Sequence, residues 1–350
     1  CLLSRGLGDV YKRQDEYCLD LLTYTQGLWL TLYIYMGGMS TINFEHRLTF
    51  AKHTLLCKIL NIEFERYTEC IHRRRDMIKV GITEIDIGYE DKEYAREHCL
   101  EVMQEAYENG VELLVFPEMT LTGFTMMPAC MWEAYRNGEI PESVSFFMEN
   151  SRKYDMAMAF GYIEAFMADG SGEFDESRRK VFENKLAIVS GDEVIMDYAK
   201  IHPFSFSGED RVYRAGSHIC QANVKDLRLG GYICYDLRFP EIFSAARDSY
   251  DAILVIANWP EERVAQWEAL LRARAIENQA YVIGVNRVGM GKRERYVPSS
   301  HIYDVYGNEM AERVSDRLLV AELDPAVIAG ARKTFPQGRD RKNEFYMSIL

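Results

Sequence analysis

The chain has 350 residues, 48% of them hydrophobic and 27% charged, with a net charge of −13. That apolar content excludes a disordered chain, eight cysteines are too sparse for a disulfide scaffold, and a mean hydropathy of −0.24 excludes a polytopic membrane protein. The acidic balance, 54 Asp and Glu against 41 Lys and Arg, argues against a nucleic-acid partner or docking on anionic lipid.

Residues 1–76 differ from the rest. They hold ten basic and nine acidic residues, so the negative charge belongs to residues 77–350. Four of the eight cysteines, Cys1, Cys18, Cys57 and Cys70, also fall in the first 76. The opening Ser4-Arg5-Gly6-Leu7-Gly8-Asp9-Val10-Tyr11-Lys12-Arg13-Gln14 resembles translated sequencing-adapter DNA, so residues 1–14 are set aside before fold reasoning. Residues 15–76 show no sustained period of 2 or 3.6, and 1–76 is read as an extension of doubtful origin. Leu21–Phe44 is uncharged, but Thr23, Thr25, Gln26 and Thr31 interrupt it. A spanning helix needs about 20 mostly apolar residues, so no membrane partner is expected. Cys57, Cys70 and His72 lack the spacing and the fourth ligand of a zinc site, and Arg73-Arg74-Arg75 reads as a solvated linker.

From Met77 the patterning becomes regular. Ile78–Ile82 reads as a strand, and Glu90–Asn109 as a helix burying Ala95, Cys99, Val102, Met103 and Ala106, stopped by Gly110. Glu112–Phe116 is an apolar run ended by Pro117, suited to a buried strand. A helix over 143–153 and a strand over 156–163 come next. A hairpin then joins Lys185–Val189 to Val194–Tyr198 around Gly191-Asp192. Strands over 229–233, 252–257, 281–285, 301–305 and 318–323 interleave with helices over 240–247 and 264–278. This alternation indicates layered α/β architecture over 77–323, with 324–350 as a tail packed on it.

Reactive residues end three of these strands: Glu118 after Phe116-Pro117, Lys200 after Tyr198-Ala199, and Cys234 after Tyr232-Ile233. Sites gather at strand ends in α/β sheets. A carboxylate can act as base for a thiol, and a fixed cation can stabilise an oxyanion, so the three form an acyl-transfer set. Taken singly, each has a structural alternative: a core cysteine, a surface lysine, a helix-capping carboxylate.

The surrounding words weigh against those alternatives. Leu114-Val115-Phe116-Pro117-Glu118-Met119-Thr120-Leu121-Thr122-Gly123-Phe124, Tyr198-Ala199-Lys200-Ile201-His202 and Gly231-Tyr232-Ile233-Cys234-Tyr235-Asp236-Leu237-Arg238-Phe239-Pro240-Glu241 resemble, in order, the three motifs of the nitrilase superfamily of carbon–nitrogen hydrolases. The resemblance spans roughly 77–345. It implies a four-layer αββα sandwich over 77–350, a Glu-Lys-Cys triad, a homodimer, and no metal or organic cofactor. It gives Glu118 the role of general base, Lys200 that of oxyanion-stabilising cation and Cys234 that of nucleophile, with the Tyr235 N–H completing the oxyanion hole. Glu209 is the candidate for the second glutamate many members carry; its alternative is a surface acid in Ser207-Gly208-Glu209-Asp210. His202 reads as motif structure.

Cys234–Glu241, Ala257-Asn258-Trp259-Pro260, Arg272–Tyr281 and Asn286-Arg287-Val288-Gly289 are similar to bacterial ω-amidases acting on 2-oxoglutaramate and 2-oxosuccinamate. Such small-molecule amides end in a carboxylate, which an Arg fork matches. Arg238 and Arg287 are the candidates; the alternative for Arg238 is an ion pair with Glu241. Trp259 is expected to line the pocket, and Asn258 to hydrogen-bond near the nucleophile. The rival within the same branch is a deaminated-glutathione amidase. Rivals of other classes are a catalytically silent binding protein and an enzyme tethered through Leu21–Phe44. A free nucleophilic thiol fits a reducing cytoplasm.

Overall fold

A computed structural model describes residues 77–136, 138–168 and 179–349. The adapter-like start, Leu21–Phe44, Cys57, Cys70, His72 and arginines 73–75 lie outside the described residues.

In chain order, β1 (Ile78–Thr83), α1 (Lys92–Glu108), β2 (Leu113–Val115), α2 (Glu142–Tyr154) and β3 (Ala157–Met167) come first. The hairpin β4 (Lys180–Ser190) and β5 (Glu193–Ala199) follows, then β6 (Gln221–Val224), β7 (Leu227–Ile233) and the short α3 (Pro240–Ala245). Next are β8 (Ala252–Ala257), α4 (Val264–Asn278), β9 (Tyr281–Asn286) and the small hairpin β10 (Gly289–Met290) and β11 (Arg295–Tyr296). The chain closes with β12 (His301–Tyr303), β13 (Glu312–Arg313), β14 (Leu318–Leu323), α5 (Pro325–Thr334) and α6 (Asn343–Ile349).

These strands form two mixed sheets, ordered β13-β14-β1-β2-β3-β4-β5 and β12-β9-β8-β7-β6, with β10–β11 apart. Alternation along the strands sends one set of side chains between the sheets and the other towards helices. Val80, Ile82, Leu113 and Val115 of the first sheet share a core with Leu229, Ile233, Leu254 and Ile283 of the second. Leu114, Phe116 and Phe160 face the other way, onto Val102 and Met103 of α1 and Phe147 of α2. Phe147 stacks on Phe160 at 4.0 Å. On the far side, Trp267, Leu271 and Ala275 of α4 cover the second sheet. The result is a four-layer αββα sandwich. Because both faces of β8 are covered, all six of its residues are buried. Each large side chain so buried contributes about 1.5–3 kcal/mol.

Local chemistry sets the boundaries. Asp91 caps α1 by accepting the Tyr94 N–H, and Gly110 takes φ +68 just beyond its end. The tail packs on the domain through α5, which buries Ile328 and Ala331, while the Arg332 guanidinium donates to the carbonyls of Arg247, Tyr250 and Gln279. Two strands are longer than the sequence pattern predicts. β3 runs on to Met167 and β4 starts at Lys180, because ladder pairing with its neighbour extends each strand past its apolar stretch. Parallel β2 in the first sheet, and parallel β7 and β8 in the second, bring their C-terminal ends to the place where the reactive residues stand.

Candidate active site

Glu118 follows β2 directly and is fully buried. The chain turns sharply after it: Met119 takes φ +48, a left-handed conformation that is costly for a side chain with a Cβ. Neighbouring contacts fix that turn. The Thr120 hydroxyl donates to the Pro117 carbonyl at 2.6 Å, and the Gly161 N–H donates to the Thr120 Oγ1 at 3.0 Å. A Cβ on Gly161 would sit 2.3 Å from the Met119 nitrogen, so only glycine lets the Glu118 turn lie against β3.

Lys200 ends the β4–β5 hairpin, 1% exposed. Its Nζ donates to Glu118 Oε1 at 2.9 Å, and to Glu209 Oε2 at 2.9 Å and Oε1 at 3.1 Å. Burial opposes the charge on Lys200, but the Glu118 and Glu209 carboxylates outweigh it and hold its pKa well above the ordinary lysine range. Lys200 is therefore an ammonium across the working pH range. Glu209 is fully buried while its neighbour Asp210 is exposed, so it is no surface acid. The Phe204 N–H donates to its Oε2 at 2.5 Å.

Cys234 lies just past β7 at φ +46, where strand turns abruptly into a 3₁₀ turn. Left-handed backbone on a non-glycine residue costs about 1–3 kcal/mol and persists only where the surroundings impose it. Here the imposing group is Asp236. Its buried carboxylate accepts the Ile233 N–H at 3.0 Å, the Tyr198 hydroxyl at 2.7 Å and the His202 N–H at 2.9 Å. His202 Nδ1 lies 2.8 Å from the same carboxylate and the ring stacks on Phe239, so His202 serves the scaffold. Burial pushes the Cys234 thiol well above its usual range. The Glu118 carboxylate adds to that, and Lys200 pulls the other way. The resting group is a thiol that needs a base.

Asn258, at the end of β8, ties the two halves of the site together. Its N–H donates to Glu118 Oε2 at 2.9 Å, its Nδ2 to the Glu118 carbonyl at 2.7 Å, and its own carbonyl lies 4.0 Å from the Cys234 sulfur. Asn286 holds this turn by accepting the Trp259 N–H and donating to the Trp259 carbonyl, both at 2.8 Å.

A cavity of about 80 Å³ opens on these residues. Lys200, Cys234, Tyr235, Arg238, Asn258 and Trp259 line it, so the structure gathers the residues expected from the sequence, with Glu118 and Glu209 behind Lys200. Arg238 pairs with no carboxylate among the described residues; it donates to Gln266 at 2.7 Å and lies over the Trp259 ring at 4.8 Å. The expected alternative, an ion pair with Glu241, is not formed.

Arg287 is a correction. It is fully buried outside the cavity, where its guanidinium binds Asp86 at 2.6 Å and the Gly88 carbonyl at 2.7 Å. Two residues escaped the sequence reading. Arg263 lines the cavity over the Phe204 ring. Asn184 donates from Nδ2 to both Glu118 and Glu209. A wider groove beside α1 and α2 has Lys92 and Arg96 tied into ion pairs and contains no cysteine. Among the described residues, no cluster of three His, Cys, Asp or Glu side chains is arranged to hold a metal ion, and no helix is long and apolar enough to cross a membrane.

Comparison with known proteins agrees with this geometry. Residues 79–333 match the carbon–nitrogen hydrolase family. The chain is 34% identical to the omega-amidase YafV of Yersinia enterocolitica over 65% of its own length and 84% of the relative's. It is 25% identical to the 2-oxoglutaramate amidase of Bacillus subtilis over 69% and 89%. A crystal structure of a CN-hydrolase superfamily protein from Xanthomonas campestris, 25% identical, superposes with a TM-score of 0.66 over 76% of this chain and 97% of that one. The chain belongs to the carbon–nitrogen hydrolase family, and it is a hydrolase of carbon–nitrogen bonds other than peptide bonds.

Proposed function

We propose that the protein is a thiol amidase that hydrolyses the terminal amide of a short 2-oxo-acid amide, of the 2-oxoglutaramate or 2-oxosuccinamate type, to the carboxylate and ammonia. The observation that carries this reading is a fully buried Lys200 ammonium held between Glu118 and Glu209, directly behind a strained cysteine that faces a small cavity.

In the proposed mechanism, Glu118 takes the thiol proton as the Cys234 sulfur attacks the amide carbon. The oxyanion is held by Lys200 and the Tyr235 N–H. Glu118 returns the proton to the nitrogen, the C–N bond breaks and ammonia leaves. Water then attacks the thioester, giving a proton to Glu118 that passes back to the thiolate as the carboxylic acid departs. Glu209 fixes Lys200.

Arg238 and Arg263 give the cavity two guanidinium groups, each over an aromatic ring, which supports recognition of a distal carboxylate. We further propose that residues 77–350 are the functional unit, that 1–76 is dispensable, and that the enzyme works as a cytoplasmic homodimer, where the thiol stays reduced.

The test is ammonia release by the full chain and by residues 77–350. Both are expected to turn over 2-oxoglutaramate faster than deaminated glutathione. Equal inactivity on both compounds would sink the substrate assignment, and an inactive truncation would sink the boundary.

A further inference from the structure

We propose that Asn184 is a positioning residue of this site: its one amide nitrogen holds the Glu118 and Glu209 carboxylates apart around Lys200 and keeps Glu118 ready to accept the Cys234 proton. This rests on the amidase function proposed for the site.

Asn184 is 1% exposed, on β4. An amide nitrogen carries two hydrogens. Here one goes to Glu118 Oε1 at 2.7 Å and the other to Glu209 Oε1 at 3.0 Å. The Asn184 carbonyl accepts the Lys200 N–H at 2.9 Å, continuing a register in which Lys185 faces Ala199. One residue therefore fixes the Lys200 backbone and both carboxylates that share the Lys200 ammonium.

The chemistry requires an amide at this point. Two carboxylates and one ammonium leave the buried cluster short of positive charge, and like charges in a dry site drive proton uptake. An apolar residue would leave Lys200 as the remaining donor to Oε1 of each acid among the described residues. A second cation would satisfy them but weaken the base. An aspartate has the same size, yet replaces two donors with a third negative charge. A neutral double donor stabilises both carboxylates without changing the charge. The Asn184 Oδ1 is buried and accepts no hydrogen bond from the described residues, so the donor side of the amide is the side the site uses.

The test compares Asn184→Ala, Asn184→Asp and Asn184→Ser in the full chain. Two quantities are followed against pH: the rate of Cys234 alkylation by iodoacetamide, read by peptide mass spectrometry, and kcat and KM for ammonia release from 2-oxoglutaramate. The Ala and Asp variants are expected to lose about 100-fold in kcat with KM little changed. The acid limb of both profiles should move up by about one pH unit or more, with Ser, a single donor, in between. Circular dichroism identifies variants that fold, and Asn184→Ser carries the test if the others do not.

Folded variants that keep the wild-type acid limb, or lose only KM or melting temperature, would overturn the proposal. Glu118→Gln separates it from the reading beneath. If Glu118→Gln keeps wild-type turnover, the mechanism itself fails. If Glu118→Gln is inactive while Asn184→Ala keeps the wild-type profile, only the role of Asn184 fails.

Discussion

Adjacent residues of β4 look into two polar clusters of similar composition. Asn184 faces Glu118, Lys200 and Glu209 near Cys234. Lys185 points to the opposite face, where its ammonium lies 2.8 Å from Asp197, 3.4 Å from Glu164 and 3.8 Å from Glu183. That second cluster also has a cysteine beside it, for Cys220 donates from its sulfur to the Asp197 carbonyl at 3.4 Å. Lysine, acids and thiol thus meet twice around one hairpin.

What separates the clusters is geometry. Cys234 stands at a strand end in left-handed backbone facing a cavity, with its acids fully buried behind the lysine. Cys220 lies in an irregular stretch just ahead of β6, and Asp197 in mid-strand is 39% exposed. Lys185, Glu164 and Glu183 are themselves buried, so the difference lies in the strand-end turn and the cavity, and neither of the two cavities described above is lined by Cys220. Residue types nominate a site; strand-end placement and an adjoining cavity make one.

The largest effect that could break this contrast is on the two thiols. Cys234→Ala is expected to lower kcat by at least about 1,000-fold while leaving the circular dichroism spectrum unchanged. Cys220→Ala should stay within about twofold of wild type in the same ammonia assay. Comparable losses in both would mean that geometry does not distinguish them.

A smaller effect concerns the cavity mouth. Arg238→Ala should raise KM for 2-oxoglutaramate by about 10- to 100-fold with kcat nearly constant, because a charge-assisted pair contributes about 1.5–3 kcal/mol. Loss in kcat alone would move Arg238 from recognition to chemistry.

The smallest effect lies in the outer cluster. Burial raises the Glu164 pKa to about 7, with Lys185 pulling it back. An acid with a raised folded-state value weakens the fold as pH climbs from its unfolded value near 4.5 through 7, and the penalty is then constant. Glu164→Gln should therefore raise stability at pH 8 by about 1–3 kcal/mol, with the gain shrinking towards pH 5 and turnover unaffected. Thermal melts at the two pH values decide it; a gain largest at pH 5 would reverse the assignment.

Much of this was legible from the sequence because strand ends announce themselves. Pro117 ends the apolar run of β2 just before Glu118, and the turn at Gly191-Asp192 places Lys200 at the end of its hairpin. The layers followed from helices with one apolar face and strands buried on both. What stayed hidden depends on distance along the chain. Arg287 looked available because its partner, Asp86, is 201 residues away. Asn184 sits in the charged stretch of β4 that alternation did not mark as strand, although counting the hairpin register back from Lys200 would have reached it. Glu209 was legible only through the family resemblance, because its burial comes from a loop folding onto Lys200, which no local pattern reports.

The most direct measurement is rapid acid quench during turnover of 2-oxoglutaramate, followed by mass spectrometry of the Cys234 peptide. The expected result is an acyl adduct on Cys234, forming with the first equivalent of ammonia and absent from Cys234→Ala. Ammonia release without any adduct, continuing in Cys234→Ala, would contradict nucleophilic catalysis by this cysteine.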